Sequence, residues 1–193
     1  MKLKPLIFSA SFSLASSGLA ALPSGQVPPE IKLEGKLGGK VKGGAWSSTE
    51  LVGKVHVLFY VAPSAEKLNQ KARDTLKELD FPQDKFASVA VVNMKASNWP
   101  NFVISSKLAN SQKENPRSLY VEDREKVFVK SWNLADDTSC VLAFNKEGKV
   151  IFSVDGQLSE EQIQSLVKIV KTELAEKPSQ DSKNEEAKSK SKT

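Results

Sequence analysis

The chain of 193 residues contains one cysteine and one histidine. These two scarcities exclude more chemistry than any motif includes. A single Cys140 cannot form an intramolecular disulfide, and no CxxC pair exists for dithiol redox chemistry. With His56 as the sole imidazole, neither an HExxH helix nor a Cys/His zinc spacing is available, and no calcium-loop pattern occurs. No glycine-rich phosphate loop is present: the Gly38-Gly39 and Gly43-Gly44 pairs have no strand-to-helix context. Neither a cofactor nor a metal is therefore expected. No apolar run approaches the ~20 residues that span a bilayer, so no membrane span is expected in the mature chain. An arginine-rich helix is missing, as is any basic stretch interleaved with aromatics, which argues against nucleic acid as a partner.

What is present begins with MKLKPLIFSASFSLASSGLAALP. Lys2 and Lys4 precede a short apolar stretch from Leu6 to Leu14, and Gly18 and Ala20 supply the small residues of a cleavage site. These parts in this order predict a secretory signal peptide over 1–20, cut between Ala20 and Ala21. Its removal lowers the formal charge from +5 to +3. Residues 21–44 are rich in Gly, Pro and Lys and predict an extended arm with turns. From Ala175 to Thr193, Lys, Ser, Glu and Asn dominate with no aromatic or branched aliphatic side chain, which predicts a disordered tail.

Between arm and tail, residues 45–174 read as one domain. The run Lys54 to Val61 (KVHVLFYV) is apolar except for His56 and suits a central strand covered on both faces. Ala62-Pro63-Ser64-Ala65 follows, with Ser64 as the expected cap of a helix whose buried face is Ala65, Leu68, Ala72, Leu76 and Leu79. Phe86 to Val92 predicts a second buried strand, residues 100–113 a helix, and Ser118 to Val121 a short strand. Residues 123–137 have no clear period and are expected to wrap across the fold. Cys140–Phe144 and Lys149–Val154, joined by Asn145-Lys146-Glu147-Gly148, predict a hairpin. Ser159 and Gln162 then form a capping box on a last helix with the stripe Ile163, Leu166, Val167, Val170 and Leu174. This order describes an α/β domain with helices on both faces of a sheet.

The lead-in VPPEIKLEGK with Trp46-Ser47-Ser48-Thr49-Glu50-Leu51 and Gly53-Lys54-Val55, and the late turn Asn145 to Val150, resemble the thioredoxin-like superfamily. A closer resemblance is to the YtfJ family of bacterial periplasmic proteins. It is carried by Leu51-Val52-Gly53-Lys54-Val55, Phe102-Val103, Ser105-Ser106, Trp132-Asn133-Leu134, Ser139, Val141, Gly148, Val150, Asp155-Gly156 and Leu158. The resemblance implies a thioredoxin-like three-layer α/β/α sandwich with a central mixed sheet, and the periplasm as location. In redox members of the superfamily the nucleophilic cysteine lies where the first long strand meets the helix, and a cis-proline precedes the hairpin strand. Here the junction is Ala62-Pro63-Ser64-Ala65, which contains no cysteine, and the second position falls near Ser139, which is not proline. A serine hydroxyl stays protonated near neutral pH without a base beside it, so it does not replace a thiolate.

The resemblance places a candidate groove around Pro63, Ser64, Trp132, Ser139 and Cys140. Two readings follow. One is a non-catalytic binding or adaptor module that takes an unidentified periplasmic protein or small ligand. The other is a single-thiol enzyme using Cys140 in mixed-disulfide or peroxide chemistry. Cys140 itself reads as either a buried small hydrophobe or an accessible thiol. His56 reads as a packed core histidine and the tryptophans as packing residues, with Trp132 able to line a groove.

Overall fold

The computed structural model describes residues 22–176; the expected leader, its Ala20–Ala21 junction and all but the first two residues of the expected tail lie outside them. The order of elements is β1 (Lys32–Leu33), β2 (Gly38–Lys40), β3 (Trp46–Ser47), β4 (Val55–Val61), α1 (Gln70–Glu78), β5 (Phe86–Asn93), α2 (Asn101–Glu114), β6 (Ser118–Asp123), α3 (Val127–Trp132), β7 (Ser139–Phe144), β8 (Val150–Asp155) and α4 (Glu160–Ala175).

Six strands form one mixed sheet in the order β2-β6-β5-β4-β7-β8. Strands β4, β5 and β6 are parallel; β7 is antiparallel to β4, β8 to β7, and β2 to β6. All seven residues of β4 are buried, as a strand with covered faces and paired edges requires. Alternation along the strands divides the core in two. On one face Val57, Phe59, Val141 and Ala143 meet Ala72 and Leu76 of α1 and Ile163, Leu166 and Val170 of α4. Ile104 and Leu108 of α2 pack on Val92 of that same face. On the other, Leu58, Tyr60, Cys140, Leu142 and Phe144 meet Phe128 and Trp132 of α3 together with Ile31, Leu33 and Trp46 from the N-terminal segment. The result is a thioredoxin-like three-layer sandwich on a central mixed sheet, as expected.

The segment read as an arm is woven into this domain. Ile31 and Leu33 are buried, and β2 forms an edge of the main sheet against β6. The reason is backbone pairing rather than apolar content. Gly38 has φ +125°, and a Cβ placed there would lie 1.9 Å from the Glu122 carbonyl oxygen, so only glycine permits this approach. The stretch 123–137 contains a short helix, α3, flanked by Lys126 (φ 56°) and Asn133 (φ 53°) in the left-handed region. Such brief helices bounded by non-glycine left-handed residues leave no sequence period to read. The last helix follows expectation in detail: the Ser159 Oγ accepts from the Gln162 N–H, and the Ser159 N–H donates to Gln162 Oε1 at 2.8 Å.

Candidate functional site

Strand β4 delivers the chain to Ala62, whose N–H donates to the Thr138 carbonyl just before β7. Pro63–Ala65 then make a single 3-10 turn. Ser64 is exposed at its tip and does not cap a helix, contrary to the sequence expectation. The α-helix starts five residues later than expected, at Gln70. The cause is Asn69, which is 2% exposed and held outside helical geometry at φ −109°, ψ 29°. Its Nδ2 donates to Ser139 Oγ at 3.0 Å and to the Gly156 carbonyl at 3.0 Å, while its Oδ1 accepts from the Leu158 N–H at 2.9 Å. One amide therefore ties together the entry to α1, the start of β7 and the β8–α4 turn. Leu68, placed ahead of this residue, is 38% exposed and not part of the helix's buried face.

Of the residues grouped by sequence as one groove, the sheet separates Trp132 and Cys140, in the α3-side core, from Pro63, Ser64 and Ser139, whose hydroxyl faces Asn69 on the α1 side. Pro63 and Ser64 lie at an open corner, whereas Trp132, Ser139 and Cys140 are 2%, 0% and 0% exposed. The Trp132 indole N–H donates to the Pro29 carbonyl at 2.8 Å, and its ring packs edge-on to Phe128. Cys140 belongs to the α3-side core, opposite Tyr60 on β4 and Asp155 on β8. Burial and the neighbouring Asp155 push its thiol pKa well above the ordinary range, so it stays protonated at neutral pH. His56 is likewise buried; its Nδ1–H donates to the Lys54 carbonyl at 3.0 Å, and desolvation lowers its pKa, leaving it neutral. Among the described residues no group of three His, Cys, Asp or Glu side chains could hold a metal ion. Nor is any described helix long and apolar enough to cross a membrane.

Two polar arrangements at this end of the sheet went unread in the sequence. Asp123, fully buried at the end of β6, accepts from the Val127 and Phe128 N–H groups at 2.9 and 3.0 Å and from the Tyr60 hydroxyl at 3.1 Å. It anchors the first turn of α3. Beside it, Asn93 donates to Asp136, which also pairs with Lys126; burial works against that carboxylate, but these hydrogen bonds outweigh it and hold its pKa below the usual range.

An opening lies on the other face, between α1 and α2. It is a cleft of 810 Å³ that starts at Pro63 and Ser64 and runs along β5. Its floor exists because Ser88 and Ala90 are small: they sit on a central strand yet remain part-exposed. Phe59, Val92, Ile104 and Leu108 supply apolar walls, and Trp99, 64% exposed, stands among its lining residues. The Arg73 guanidinium lies over the Phe59 ring, 5.8 Å from its centre. This volume and lining fall within the range of small-molecule sites.

Comparison with known proteins places these features. The profile of the family described as "Bacterial protein of unknown function (YtfJ_HI0045)" matches residues 28–173. The Escherichia coli K12 protein YtfJ is 30% identical over 128 residues, covering 65% of this chain and 70% of its own. The thioredoxin domain of a thiol-disulfide oxidoreductase from Bacteroides vulgatus superimposes with a TM-score of 0.55 at 17% identity, covering 77% of this chain and 99% of that one. A thiol-disulfide isomerase from Corynebacterium glutamicum gives 0.55 at 15% identity, covering 76% and 97%. At such identities these two structures share the fold alone. The match over most of the domain and the relationship to YtfJ establish that this chain belongs to the YtfJ family.

Proposed function

We propose that this protein is a redox-inactive binding module of thioredoxin-like fold, exported to the periplasm by cleavage between Ala20 and Ala21. The observation that carries the reading is the pairing of a cysteine-less junction with a sealed thiol. Ser64 occupies the strand-to-helix corner, and Cys140 lies fully buried in the opposite core with its pKa raised. Thiol chemistry needs an accessible thiolate, and neither position supplies one. The lysine-led apolar leader followed by Gly18 and Ala20 supports export.

The test is the rate at which Cys140 reacts with a small aromatic disulfide, in folded and in denatured protein. The reading expects reaction only on unfolding, and no turnover in insulin-reduction or peroxide assays. Faster reaction in the folded state would mean that the fold activates the thiol, and would turn the assignment toward a single-thiol enzyme.

A further inference from the structure

The cleft between α1 and α2 has an asymmetry that suggests what it takes. Its interior is mostly apolar, with Phe59, Ile104 and Leu108 on its walls and Ala90 on its floor. One cation reaches inside. Arg73 is half-buried, stacked over Phe59, and its Nη2 bonds to the Glu66 carbonyl and to Gln70 Oε1. Among the described residues its Nε and Nη1 have no hydrogen-bond partner, and no carboxylate pairs with it. The neighbouring rim charges differ. Lys107 is paired with Glu66 and Arg117 with Asp80, while Lys77 donates to Asn115 Oδ1. Glu66 and Asp74 are near enough to favour its charge, but neither bonds to it, so Arg73 keeps unused donors above an apolar floor.

A guanidinium so placed has unused donors and has lost part of its hydration, both of which a carboxylate restores. Burial pulls the Arg73 pKa down, yet a guanidinium remains charged at neutral pH. Burial also raises the Tyr120 phenol, so that ring at the cleft keeps its O–H. A neutral apolar ligand would fill the cleft and leave Arg73 facing hydrocarbon. A small polar anion would pair with Arg73 and leave the apolar walls uncovered. The complementary ligand has both parts.

We propose that the α1–α2 cleft binds an apolar molecule with a single carboxylate, its body along Ala90 and Leu108 and its head on one unused N–H donor of Arg73. The proposal rests on the binding reading above and names its ligand class. The cleft opens at Pro63–Ser64, so the ligand would lie beside the corner where thiol-bearing relatives of the fold carry their cysteine.

The test titrates the full chain with decanoate and, separately, with decanol, following heat and the fluorescence of Trp99 at the cleft. Saturable one-to-one binding of decanoate is expected, with decanol weaker by roughly tenfold or more, the scale of one charge-assisted hydrogen bond. Arg73→Gln should lose about that factor for decanoate and little for decanol, and Arg73→Lys should recover part of it. Ala90→Leu, which fills the floor, should weaken both ligands. If Arg73→Gln disturbs folding, the Ala90→Leu variant and the decanoate-to-decanol ratio of the parent decide the matter. Absence of saturable binding, equal affinity for acid and alcohol, or an Arg73→Gln variant that binds decanoate normally would each overturn the proposal. Any of these without reductase turnover leaves the binding-module reading in place; reductase turnover, with or without decanoate binding, would remove that reading.

Discussion

Replacing Asn69 with Ala removes a side chain of modest size but opens a network. Three groups lose their partner at once: the Ser139 hydroxyl, the Gly156 carbonyl and the Leu158 N–H. Asn69 is 2% exposed and Ser139 0%, so water does not readily take its place. Leaving a buried polar group unsatisfied costs about 1–3 kcal/mol. The hydroxyl can rotate toward other acceptors, so two groups carry most of the penalty, and about 3–5 kcal/mol is expected in total. For a domain of this size that is a fall of roughly 6–20 °C in Tm. Asn69→Asp refines the test. The Leu158 N–H keeps its acceptor, but a carboxylate oxygen now faces the Ser139 hydroxyl and the Gly156 carbonyl in place of a donor. Burial and that carbonyl raise the folded-state pKa of the new acid above its unfolded value of about 3.9. A raised pKa contributes stability below the unfolded value and loses it as pH rises through the folded one. Asn69→Asp should therefore approach the parent near pH 4 and fall behind it toward pH 7. Urea unfolding followed by circular dichroism across that range reads both effects. An Asn69→Ala variant within about 1 kcal/mol of the parent, or an Asn69→Asp deficit independent of pH, would refute the assignment of this amide as the clamp.

Gly38→Ala should destabilise by more than about 2 kcal/mol, because its Cβ would meet the Glu122 carbonyl oxygen at 1.9 Å; amide exchange of β2 and β6 should rise in the same variant, and unchanged exchange would contradict the close approach. His56 has a lowered pKa from burial, so its neutral form contributes stability that is full above pH 6.5 and is lost as pH falls from there toward its folded pKa. Urea midpoints at pH 7.5 and 5.5 should show that loss, at most about 1.4 kcal/mol per pH unit, and His56→Leu should flatten it. Asp123→Ala strands two helical N–H groups and the Tyr60 hydroxyl and should cost about 3–5 kcal/mol, against about 1–2 for Tyr60→Phe; near-equal thermal shifts would show that Asp123 does little for α3.

Elements with a strong local signal are legible in the sequence. Strand β4 is continuous and apolar, the β7–β8 turn has Asn145 accepting from the Glu147 and Lys149 N–H groups with Gly148 at φ +77°, and α4 carries its cap and stripe together. What stayed hidden depends on partners far along the chain. Strand β2 is Gly-Gly-Lys and has no side-chain pattern; its place is set by backbone pairing with β6. Asn69 sits in an ordinary helical period, and its role comes from residues 70 to 89 positions away. Tyr60 reads as one more apolar residue in KVHVLFYV, because nothing local announces the Asp123 carboxylate it meets. A closer reading of Ser88 and Ala90, two small side chains on one face of an otherwise apolar central strand, held the one sequence hint of the cleft.

The same alternation explains why the candidate groove separated. Cys140 is opposite Tyr60 in the β4–β7 register, and Phe59, one residue earlier, points to the other face. The thiol therefore shares its core with Phe128 and Trp132, whereas the cleft shares Phe59 with Arg73. The Pro63–Ser64 corner belongs to the cleft side. In a dithiol site of this fold the strand-to-helix corner is where the cysteine stands, so a lone thiol on the far face of the sheet is not a remnant of that site moved by a few residues. It is a separate core position. The corner, which holds no cysteine, opens onto an 810 Å³ cleft in which Arg73 has no ion-pair partner among the described residues. A structural core would bring these walls together, as α4 does over Val141 and Ala143 a short distance away. The small residues of β5 keep them apart instead, as the proposed binding module requires.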